Sequence, residues 1–598
     1  MHVVYDTYTQ TTAGSSLNDC LHVGPKLNTK IFDILLRFRV HRIAIIADIE
    51  KAFLMISVAP KDRDVLRFVW YKNVFADQLD LIELRFARVV FGVSSSPFLL
   101  NATIRHHLEK HEAAQPDLIK KLLRSLYVDD LASGAEDEEQ AFQIFTMSKE
   151  ILKEAGFNLR KFYSNSAALQ ARVNPDDGKK NPLVRAVTEE TLAVTEELEE
   201  SYSSSTLGGG QKLRRGEQKV LGVRWDLSTD QLVINLDDIA SAATSLSPTK
   251  RNIVSLVGRF YDPLGYLTPV VIQFKLFLRE LCETKIDWDQ LLTGELMNSW
   301  NCLRSSLQNS PCISIPRCYV EGISEKIISY TLCGFCDASI KAYAGVVYLL
   351  LEKSTGYSVK FVAAKTRVAP LQQQTIPRLE LLSALLLARL LSTITESLES
   401  ELTLSSPYCF TDSMVSLCWI KGRDKTWKTF VQNRVAEIRK LVPPDCWRHC
   451  SGTENPADIP SRGTTLLELT TKMLWYTGPH WLSQGEITTV VDEKPQPPEE
   501  CLSELKKDQQ LVIGLLTTGT ESRLSQIIDC KKFGSLERLI TTTSLVLKFC
   551  KMLLNKVRAS DPEDSYDPRA EAEYRWILEC QEMVMSDVKF EQWKTEAA

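Results

Sequence analysis

Acidic residues stand at points of the sequence where carboxylates can bind metal ions. Asp48 follows the apolar, β-branched run 42–46, and Asp129 and Asp130 are adjacent within the apolar run 126–131, which predicts a hairpin. Two adjacent aspartates with a third on a neighbouring strand can hold a pair of Mg²⁺ ions about 4 Å apart, the arrangement used for phosphoryl transfer. An isolated Asp-Asp pair, however, is more often an ordinary turn.

A second set of acids is spread over the C-terminal half of the chain. Asp337 ends a predicted strand, Glu380 lies early in an apolar helix, Asp412 follows another apolar strand, and Asp458 lies in a polar loop. Acids at strand ends and a helix start are what a two-metal nuclease needs around a scissile phosphate. Any one of them alone would be unremarkable, since Glu380 is also an acid that the helix dipole favours.

Composition limits the class of protein that carries these acids. The chain has 598 residues, with 44% hydrophobic and 25% charged residues and a net charge of -5. This length predicts about four domains, and the composition excludes a wholly disordered chain, a collagen or a membrane-embedded protein. The N-terminus has no secretory signal, so the 15 cysteines are expected to be reduced thiols in an intracellular protein.

The pattern along the chain predicts several structural regions. Short strands and helices alternate over residues 1–165, and a helical region follows at 247–308. Between them, residues 166–218 form a polar, acidic, low-complexity segment that predicts a mobile insert. Three strands are predicted over 327–369, and the apolar stretch 379–394, which contains two charged residues, predicts a buried helix.

The surroundings of the first acids resemble reverse transcriptases. Five motifs follow one another in the order of that family. The first catalytic box matches Asp48-Ile49-Glu50-Lys51-Ala52-Phe53, and the nucleotide-positioning box matches Phe91-Gly92-Val93-Ser94-Ser95-Ser96-Pro97-Phe98. The YxDD box matches Tyr127-Val128-Asp129-Asp130, the palm-lysine box matches Gly156-Phe157-Asn158-Leu159-Arg160-Lys161, and the primer grip matches Leu221-Gly222-Val223-Arg224-Trp225.

Further motifs narrow the resemblance to the BEL/Pao family of LTR retrotransposon polyproteins. They are Ser16-Leu17-Asn18-Asp19, Leu35-Leu36-Arg37-Phe38-Arg39 and Phe260-Tyr261-Asp262-Pro263-Leu264-Gly265. The surroundings of the second acids, Cys336-Asp337-Ala338-Ser339, Arg378-Leu379-Glu380-Leu381 and Thr411-Asp412-Ser413, resemble the ribonuclease H of the same family. The resemblance covers nearly the whole chain.

The resemblance implies roles for individual residues of the polymerase. Asp48, Asp129 and Asp130 would be the metal-binding catalytic acids, and the carbonyl of Ile49 would touch a metal. Phe53 would be the steric gate that excludes a ribose 2′-hydroxyl. The remaining substrate-binding residues would be Phe91 and Gly92, which would shape the nucleotide pocket, and Lys161, near the triphosphate; a solvated surface lysine is the alternative for Lys161.

For the ribonuclease H, the resemblance implies that Asp337, Glu380, Asp412 and Asp458 are both catalytic and metal-binding. Each active site would use two Mg²⁺ ions, with Mn²⁺ as the alternative ion. The partners implied are an RNA template, a DNA primer, an RNA–DNA hybrid and dNTPs, with no membrane. The expected location is cytoplasmic, in virus-like particles if the element is active, and not secreted.

The fold implied is α+β. Residues 1–240 would form the fingers and palm of a right-hand reverse transcriptase, 241–325 a helical thumb or connection, and 326–470 an α/β ribonuclease H-like domain. Residues 471–598 would be a linker and a helical segment, and the protease and integrase of the polyprotein are not found in the chain.

The implied function is RNA-directed DNA synthesis with ribonuclease H cleavage. By the family pattern an arginine that grips the triphosphate belongs where His2 stands, so we expect an N-terminally shortened copy. The alternatives are a truncated or domesticated relic that binds nucleic acid with little polymerase activity, or a chain in which only the ribonuclease H is active.

Other candidate groups have simpler interpretations. His107 and His111, one helical turn apart, can chelate a metal, but their order is not that of a zinc protease motif and a solvated helix face is favoured. Cys333 and Cys336 lack a second pair, which favours buried thiols over a zinc site. His449 follows Trp447 in a predicted strand, which argues against a role as a loop histidine near Asp458.

Overall fold

The computed structural model describes residues 14–72, 80–174, 213, 216–308, 311–422, 427–489, 501, 503–505, 524–558 and 567–585. The chain divides into two compact units, residues 1–505 and 506–598. His2 and the central part of the predicted acidic insert lie outside the described residues. Residues 167–173, expected in the mobile insert, instead form a helix, which the Ser166 hydroxyl caps by accepting a hydrogen bond from the N–H of Leu169 at 3.1 Å.

The first part of the larger unit alternates helices and strands. They are α1 (Leu17–Cys20), α2 (Ile31–Phe38), β1 (Ile43–Ile49), β2 (Arg67–Tyr71), β3 (Leu81–Arg85), α3 (Ser96–Glu109), α4 (Pro116–Ser125), β4 (Leu126–Tyr127), β5 (Asp130–Ala135), α5 (Glu138–Glu154), β6 (Leu159–Ser164) and α6 (Ala167–Val173). The predicted hairpin at 126–131 is confirmed, and β2 and β3 form a separate two-stranded sheet.

The four-stranded sheet has the order β4-β5-β1-β6, and its central strand β1 is antiparallel to both neighbours. Side chains alternate between the two faces of a strand. Ala44 and Ile46 of β1 therefore join the large core that includes α2, whereas Ile45 and Ala47 join a core that includes α3, α4 and α5. Apolar cover on both faces explains why β1 is a continuous apolar run.

A second antiparallel sheet and four helices follow. They are β7 (Glu217–Val220), β8 (Val223–Asp226), β9 (Gln231–Ile234), α7 (Asp237–Ser245), α8 (Lys250–Gly258), α9 (Thr268–Glu283), α10 (Gly294–Leu307) and β10 (Ile313–Pro316). The sheet order is β10-β9-β8-β7, so residues 313–316 pair with residues 231–234 across the intervening helices. The predicted helical region at 247–308 is confirmed.

The third sheet has five strands. The elements of this region are β11 (Ile327–Ala338), β12 (Ala342–Lys353), β13 (Gly356–Val368), α11 (Ile376–Leu398), β14 (Leu404–Thr411), α12 (Met414–Lys421), α13 (Thr429–Leu441), β15 (Trp447–His449), α14 (Asp458–Arg462), α15 (Leu466–Thr471), α16 (Met473–Thr477) and α17 (His480–Gln484). The order is β13-β12-β11-β14-β15, with β11, β14 and β15 parallel and the rest antiparallel.

Helix α11 is the core helix of this region. It packs on β11, β12 and α13, and the β-carbon positions of Gly334 and Gly345 in the sheet lie against Leu387. Among the described helices it alone is long and apolar enough to cross a membrane, but 67% of its apolar window is buried inside the protein. The predicted buried helix over 379–394 is therefore confirmed.

The smaller unit contains three described helices: α18 (Leu524–Ile527), α19 (Leu536–Arg558) and α20 (Pro568–Met585). Leu539 and Ile540 of α19 pack with Ala572 and Trp576 of α20. The Trp576 indole N–H donates to the Thr543 hydroxyl at 2.9 Å. The helices predicted in this region are confirmed; these residues pack together within the unit, whereas Leu545 and Phe549 of α19 and Ile577 of α20 are exposed.

Candidate active sites

The first site lies at the end of the four-stranded sheet. Asp48 of β1 is directly opposite Asp130 of β5 in the antiparallel register. The face of β1 that carries Ala44 and Ile46 also carries Asp48, because every second residue shares a face. Like charges directly opposite each other destabilise a sheet, so this pair favours a bound cation between the strands.

Asp129 is held beside this pair by a tight turn. Tyr127 pairs with Asp130, which leaves Val128 and Asp129 as a two-residue hairpin loop. Val128 has φ 56°, as the first residue of a type II′ turn requires. Positive φ is rare for a β-branched residue, and such strain concentrates at functional sites. The N–H of Ile49 donates to the Asp129 carbonyl at 2.9 Å, which fixes the turn against β1.

The end of β6 brings basic side chains to the same place. Lys161 Nζ lies 3.9 Å from Asp48 Oδ2, and Lys161 has φ 52° next to a register shift between β1 and β6. Such a bulge re-aims a side chain. Arg160 pairs with Glu50 at 3.0 Å, and the Asn158 amide donates to the same carboxylate at 2.7 Å. The lysine therefore lies at the acid site rather than on a remote surface.

Two of the other predicted nucleotide-contacting residues are in contact with each other. The ring of Phe53 is 1% exposed and meets Phe91 edge to face, with the ring centroids 4.7 Å apart. Ile49 is buried, and Gly92 has φ 91° at the turn that precedes α3. The structure thus groups Phe53 with Phe91, and their roles as steric gate and pocket wall stay predictions.

The second site lies at the five-stranded sheet. Cys336 pairs with Thr411 between the parallel strands β11 and β14, so Asp337 and Asp412 follow at neighbouring strand ends. Glu380 comes from the first turns of α11. One carboxylate oxygen from each of Asp337, Glu380 and Asp412 lies within 4.8 Å of the other two. Three of the four predicted acids are therefore brought together.

The electrostatics of this group favour a cation. Burial, reinforced by Asp337 and Asp412, raises the pKa of Glu380 to about 9. Burial also raises the pKa of Asp337 to about 6, and Asp412 and Asp458 add to that rise. The pKa of Asp412 is raised as well, first by burial. Carboxylates that resist ionisation for this reason ionise readily once a metal ion compensates their charge.

Asp458, the fourth predicted acid, lies at the rim of the group. It is the first residue of α14, and its carboxylate forms an ion pair with exposed Arg462 one turn later. Ser461, on the same helix, has its hydroxyl in hydrogen-bonding contact with Asp337 and 3.0 Å from the Asp458 carbonyl. Through Ser461, α14 is tied to β11 beside the acid group.

Asn455 is a positioning residue to which the sequence analysis assigned no role. Its fully buried side chain donates to the Cys336 carbonyl at 2.9 Å and accepts from the N–H of Ala457 at 3.1 Å. The loop that carries Asp458 is thereby fixed to the strand that carries Asp337. The signal available in the sequence was an asparagine three residues before the acid, a common loop feature.

Two other candidates from the sequence, His449 and the cysteine pair Cys333 and Cys336, lie in strands of the five-stranded sheet. His449 lies in β15, as the sequence indicated, and pairs with Thr411, the residue before Asp412. This brings His449 close enough for its charge to act on the pKa of Asp412 in the lowering direction, although burial dominates. Cys333 and Cys336 are fully buried, which confirms the prediction of structural thiols.

The residues present fit divalent cations at the second site. Oε2 of Glu380 and Oδ1 of Asp412 are buried and accept no hydrogen bond from any described residue. Buried oxygens of this kind are costly unless a further group satisfies them. A hard divalent ion prefers carboxylate oxygens, so Asp337, Glu380 and Asp412 would hold it.

Two family models match separate regions of the chain, and each region contains one of the two groups of acids. Residues 12–162 match the model of the family "Reverse transcriptase (RNA-dependent DNA polymerase)", and residues 249–413 match that of the "Pao retrotransposon-like RNaseH-like domain". The first match contains Asp48, Asp129 and Asp130, and the second contains Asp337, Glu380 and Asp412. No curated protein sequence matches the chain.

Two solved structures are similar at 15% identity. A foamy viral protease-reverse transcriptase in complex with an RNA/DNA hybrid has a TM-score of 0.40, with 71% of this chain and 46% of that chain covered. A second foamy viral protease-reverse transcriptase, in complex with double-stranded DNA, has a TM-score of 0.42, with coverage of 73% and 62%. The chain spans less than two thirds of either solved chain.

The two family matches follow each other in one chain, and each contains the acids of one site described above. Residues 12–162 therefore belong to the reverse transcriptase family, and residues 249–413 to the Pao retrotransposon-like RNaseH-like family.

Proposed function

We propose that this chain synthesises DNA on an RNA template and cleaves the RNA of the resulting hybrid. The observation that carries the proposal is the presence of two separate acid sites within one compact unit: the cross-strand pair Asp48–Asp130 with Asp129 in the adjoining turn, and the group Asp337–Glu380–Asp412. Each site has the ligand chemistry for Mg²⁺, with Mn²⁺ as the alternative ion.

In DNA synthesis, the residues of the first site bind and orient the reactants. Asp48, Asp129 and Asp130 would hold the ions, which supply charge stabilisation at the attacking and leaving oxygens. The primer 3′-hydroxyl attacks the α-phosphate of a dNTP in line, and pyrophosphate leaves. Lys161, whose Nζ lies 3.9 Å from Asp48 Oδ2, would neutralise triphosphate charge. Phe53, braced by Phe91, closes the space that a ribose 2′-hydroxyl would need.

In RNA cleavage, the second site orients a water against a phosphodiester of the RNA strand. Asp337, Glu380 and Asp412 supply the ligand oxygens, and Asp458 borders them on α14. Asn455 and Ser461 keep the loop and helix that carry Asp458 fixed to β11. Contacts to the 2′-hydroxyl would distinguish the RNA strand from the DNA strand.

The rival proposal is a relic that binds nucleic acid without catalysis, or one in which only the ribonuclease H works. His2, at the place where the family has an arginine, favours the rival for the polymerase. The buried acid group with raised pKa values favours a working ribonuclease H, because such a costly group is retained most easily when a metal uses it. Location in cytoplasmic particles stays a prediction.

The test is a pair of assays on the full chain. Primer extension on an RNA template with Mg²⁺ and dNTPs should occur with the parent and fail with Asp129→Ala/Asp130→Ala. Cleavage of an RNA–DNA hybrid should fail with Asp412→Asn but persist in the Asp129→Ala/Asp130→Ala variant. Hybrid cleavage without extension by folded parent protein would leave only the ribonuclease H, and loss of both would favour the relic.

A further inference from the structure

We propose that His107, His111 and Glu154 form a transition-metal site of the Zn²⁺ class, separate from both catalytic sites. One ligand atom of each residue lies within 4.8 Å of the other two. The sequence suggested a solvated helix face for the two histidines. The structure differs because Glu154, which is more than 40 positions away in the sequence, arrives beside them at the end of α5.

The donor set matches known zinc chemistry. Two imidazoles and one carboxylate, with a further position open to water, is a common ligand set for Zn²⁺. His111 Nε2 lies 3.3 Å from Glu154 Oε2, a separation typical of two ligands of one ion. The rings of His107, in the last turn of α3, and His111, in the turn just after it, have centroids 5.0 Å apart. Imidazole ligands favour zinc, copper or nickel over magnesium.

The histidine rings are already positioned. His107 Nε2 lies 2.7 Å from the Ile151 carbonyl, and both residues are held where α3 packs on α5. A metal-binding histidine usually donates its second N–H to a carbonyl or carboxylate, which fixes its tautomer and orientation. With Nε2–H donating to Ile151, Nδ1 carries the lone pair that a metal requires.

The helix dipoles give an independent argument. Glu154 is the last residue of α5, and His107 and His111 lie in the last turn of α3 and just beyond it. The C-terminal ends of two helices therefore meet at this point, and both carry partial negative charge that favours a cation. A glutamate at such an end is unfavourable by itself, whereas a divalent ion would compensate it.

A bound ion would join α3 to α5. Helix α3 begins at Ser96, directly after the turn at Gly92, so the ion would fix the far end of the helix that follows this turn. Its role would be structural, since the ligands belong to neither catalytic acid group. The inference does not depend on the proposed function, and its test requires no enzymatic assay.

The experiment compares Zn²⁺ and Co²⁺ binding to full-length parent, His111→Ala and Glu154→Gln, in excess Mg²⁺ to occupy the carboxylate sites. His106→Ala is the matched control, because His106 is an exposed neighbour on the same helix. Equilibrium dialysis should show one metal equivalent fewer in both ligand variants and no change in the control. Co²⁺ should give a visible d–d spectrum without thiolate bands, lost in the same two variants.

Thermal unfolding provides a second readout. Zn²⁺ should raise the melting temperature of parent and His106→Ala, because a ligand that binds only the folded state stabilises it, and the shift should shrink in His111→Ala and Glu154→Gln. Affinity should fall by at least the roughly 10–100-fold that loss of an outer-shell partner costs. Unchanged stoichiometry and affinity in folded Glu154→Gln would overturn the proposal and leave an ordinary ion pair.

Discussion

The carbonyl oxygen of Ala364 lies so near Gly265 that a β-carbon there would be only 1.9 Å from it. Gly265 follows the turn at Asp262, whose half-buried carboxylate accepts hydrogen bonds from the N–H groups of Gly265, Tyr266 and Leu267 at 2.6–2.9 Å. The N–H of Ala364 donates to Leu264 at 2.9 Å. This family motif therefore holds the start of α9 directly against β13 of the ribonuclease H sheet.

Because of this close approach, we expect Gly265→Ala to cause a large loss in the free energy of unfolding. Gly156 has the same φ of 82° but open space around its β-carbon position. Gly156→Ala should therefore cost only the positive-φ strain, about 1–2 kcal/mol, whereas Gly265→Ala must also displace β13. Denaturant unfolding should show a clearly greater loss of stability for Gly265→Ala. Equal losses would mean that the contact between the turn and β13 is not close.

We expect the removal of the buried Arg317 to lower the free energy of unfolding much more than the removal of an exposed arginine. It is 0% exposed, binds Asp230 through two hydrogen bonds of 2.6 Å, and donates to the carbonyls of Phe38, His41 and Arg42. Arg317→Ala removes a charged partner of the half-buried Asp230 carboxylate, which keeps the Trp225 and Asn165 donors. It also takes a donor from the Phe38 and His41 carbonyls, and the change should cost about 3–5 kcal/mol. Arg251, which binds Asp289 in an equally bidentate but exposed pair, is the control.

Arg251→Ala should change the free energy of unfolding by less than about 1 kcal/mol, as exposed pairs do. The free energy of unfolding of both variants can be measured by urea denaturation, from the unfolding transition of the larger unit. A similar small effect at both positions would contradict the burial of Arg317.

His41 predicts a pH-dependent contribution to stability. Its two ring nitrogens lie 2.8 Å from Glu136 and 3.0 Å from Glu401, with Lys121 Nζ 3.3 Å from Nε2. Burial alone would lower the pKa of His41, but the hydrogen bonds to both carboxylates outweigh it and the pKa is raised. His41 precedes β1 of the first sheet, whereas Glu401 follows α11, the core helix of the five-stranded sheet region. The hydrogen bond between them therefore connects these two regions.

Because the pKa of His41 is higher in the folded state, its stabilisation is full below the unfolded value of about 6.5 and is lost as the pH rises through the folded value. The difference in the free energy of unfolding between parent and His41→Gln should therefore shrink as the pH rises above about 6.5. Urea unfolding at a series of pH values measures it. His106→Gln controls for the loss of an imidazole, and a parent–His41→Gln difference independent of pH would contradict the prediction.

Glu136 and Glu401 make the stability contributed by the same three residues depend on pH in the acid range as well, because the pKa values of both carboxyl groups are lowered. The pKa of Glu136 is lowered chiefly by its hydrogen bond to His41, and that of Glu401 is lowered by His41 despite its burial. Their stabilisation is present above the unfolded pKa and is lost as the pH falls through the folded values. The parent should therefore also lose its advantage over His41→Gln below about pH 4.

Divalent metal should stabilise the ribonuclease H region through its acid group. Mg²⁺ or Mn²⁺ should raise the melting temperature of the parent, because the ion compensates Asp337, Glu380 and Asp412 only in the folded state. Glu380→Gln should unfold at a higher temperature than the parent in EDTA near neutral pH, because burial raises the pKa of Glu380 to about 9 and folding of the parent must therefore protonate a carboxylate that is ionised in the unfolded chain. Its response to Mg²⁺ should be weaker, and an undiminished response would contradict the ligand assignment.

Phe53 predicts a change in sugar selection. Phe53→Leu should lower the ratio of dNTP to rNTP incorporation, because a smaller side chain leaves room for a 2′-hydroxyl. The ring is buried against Phe91, so the variant also loses packing, and its melting temperature must be measured beside it. Phe91→Leu is the comparison: equal loss of selectivity in both variants would indicate a general disturbance of the pocket.

Much of the architecture around the two groups of acids could be predicted from local sequence patterns. The run before Asp48 alternates between two buried faces, so it had to be a central strand, and the acids within the short run at 126–131 had to lie in a hairpin. The acids at the ends of β11 and β14 were recognisable because carboxylates at the ends of apolar strands are costly unless they are used. These predictions need only the residue types and their spacing within a short stretch of the sequence.

Contacts between distant residues were decided only by the tertiary structure. Nothing near Asp458 showed that it would pair with Arg462 while the other three acids converge, and Asn455 gave no sign of reaching the Cys336 carbonyl. His107 and His111 lacked a third ligand in the sequence, because Glu154 arrives through the packing of α5 on α3. Periodicity determines which face of an element is buried, but the partner of that face depends on how all elements pack together.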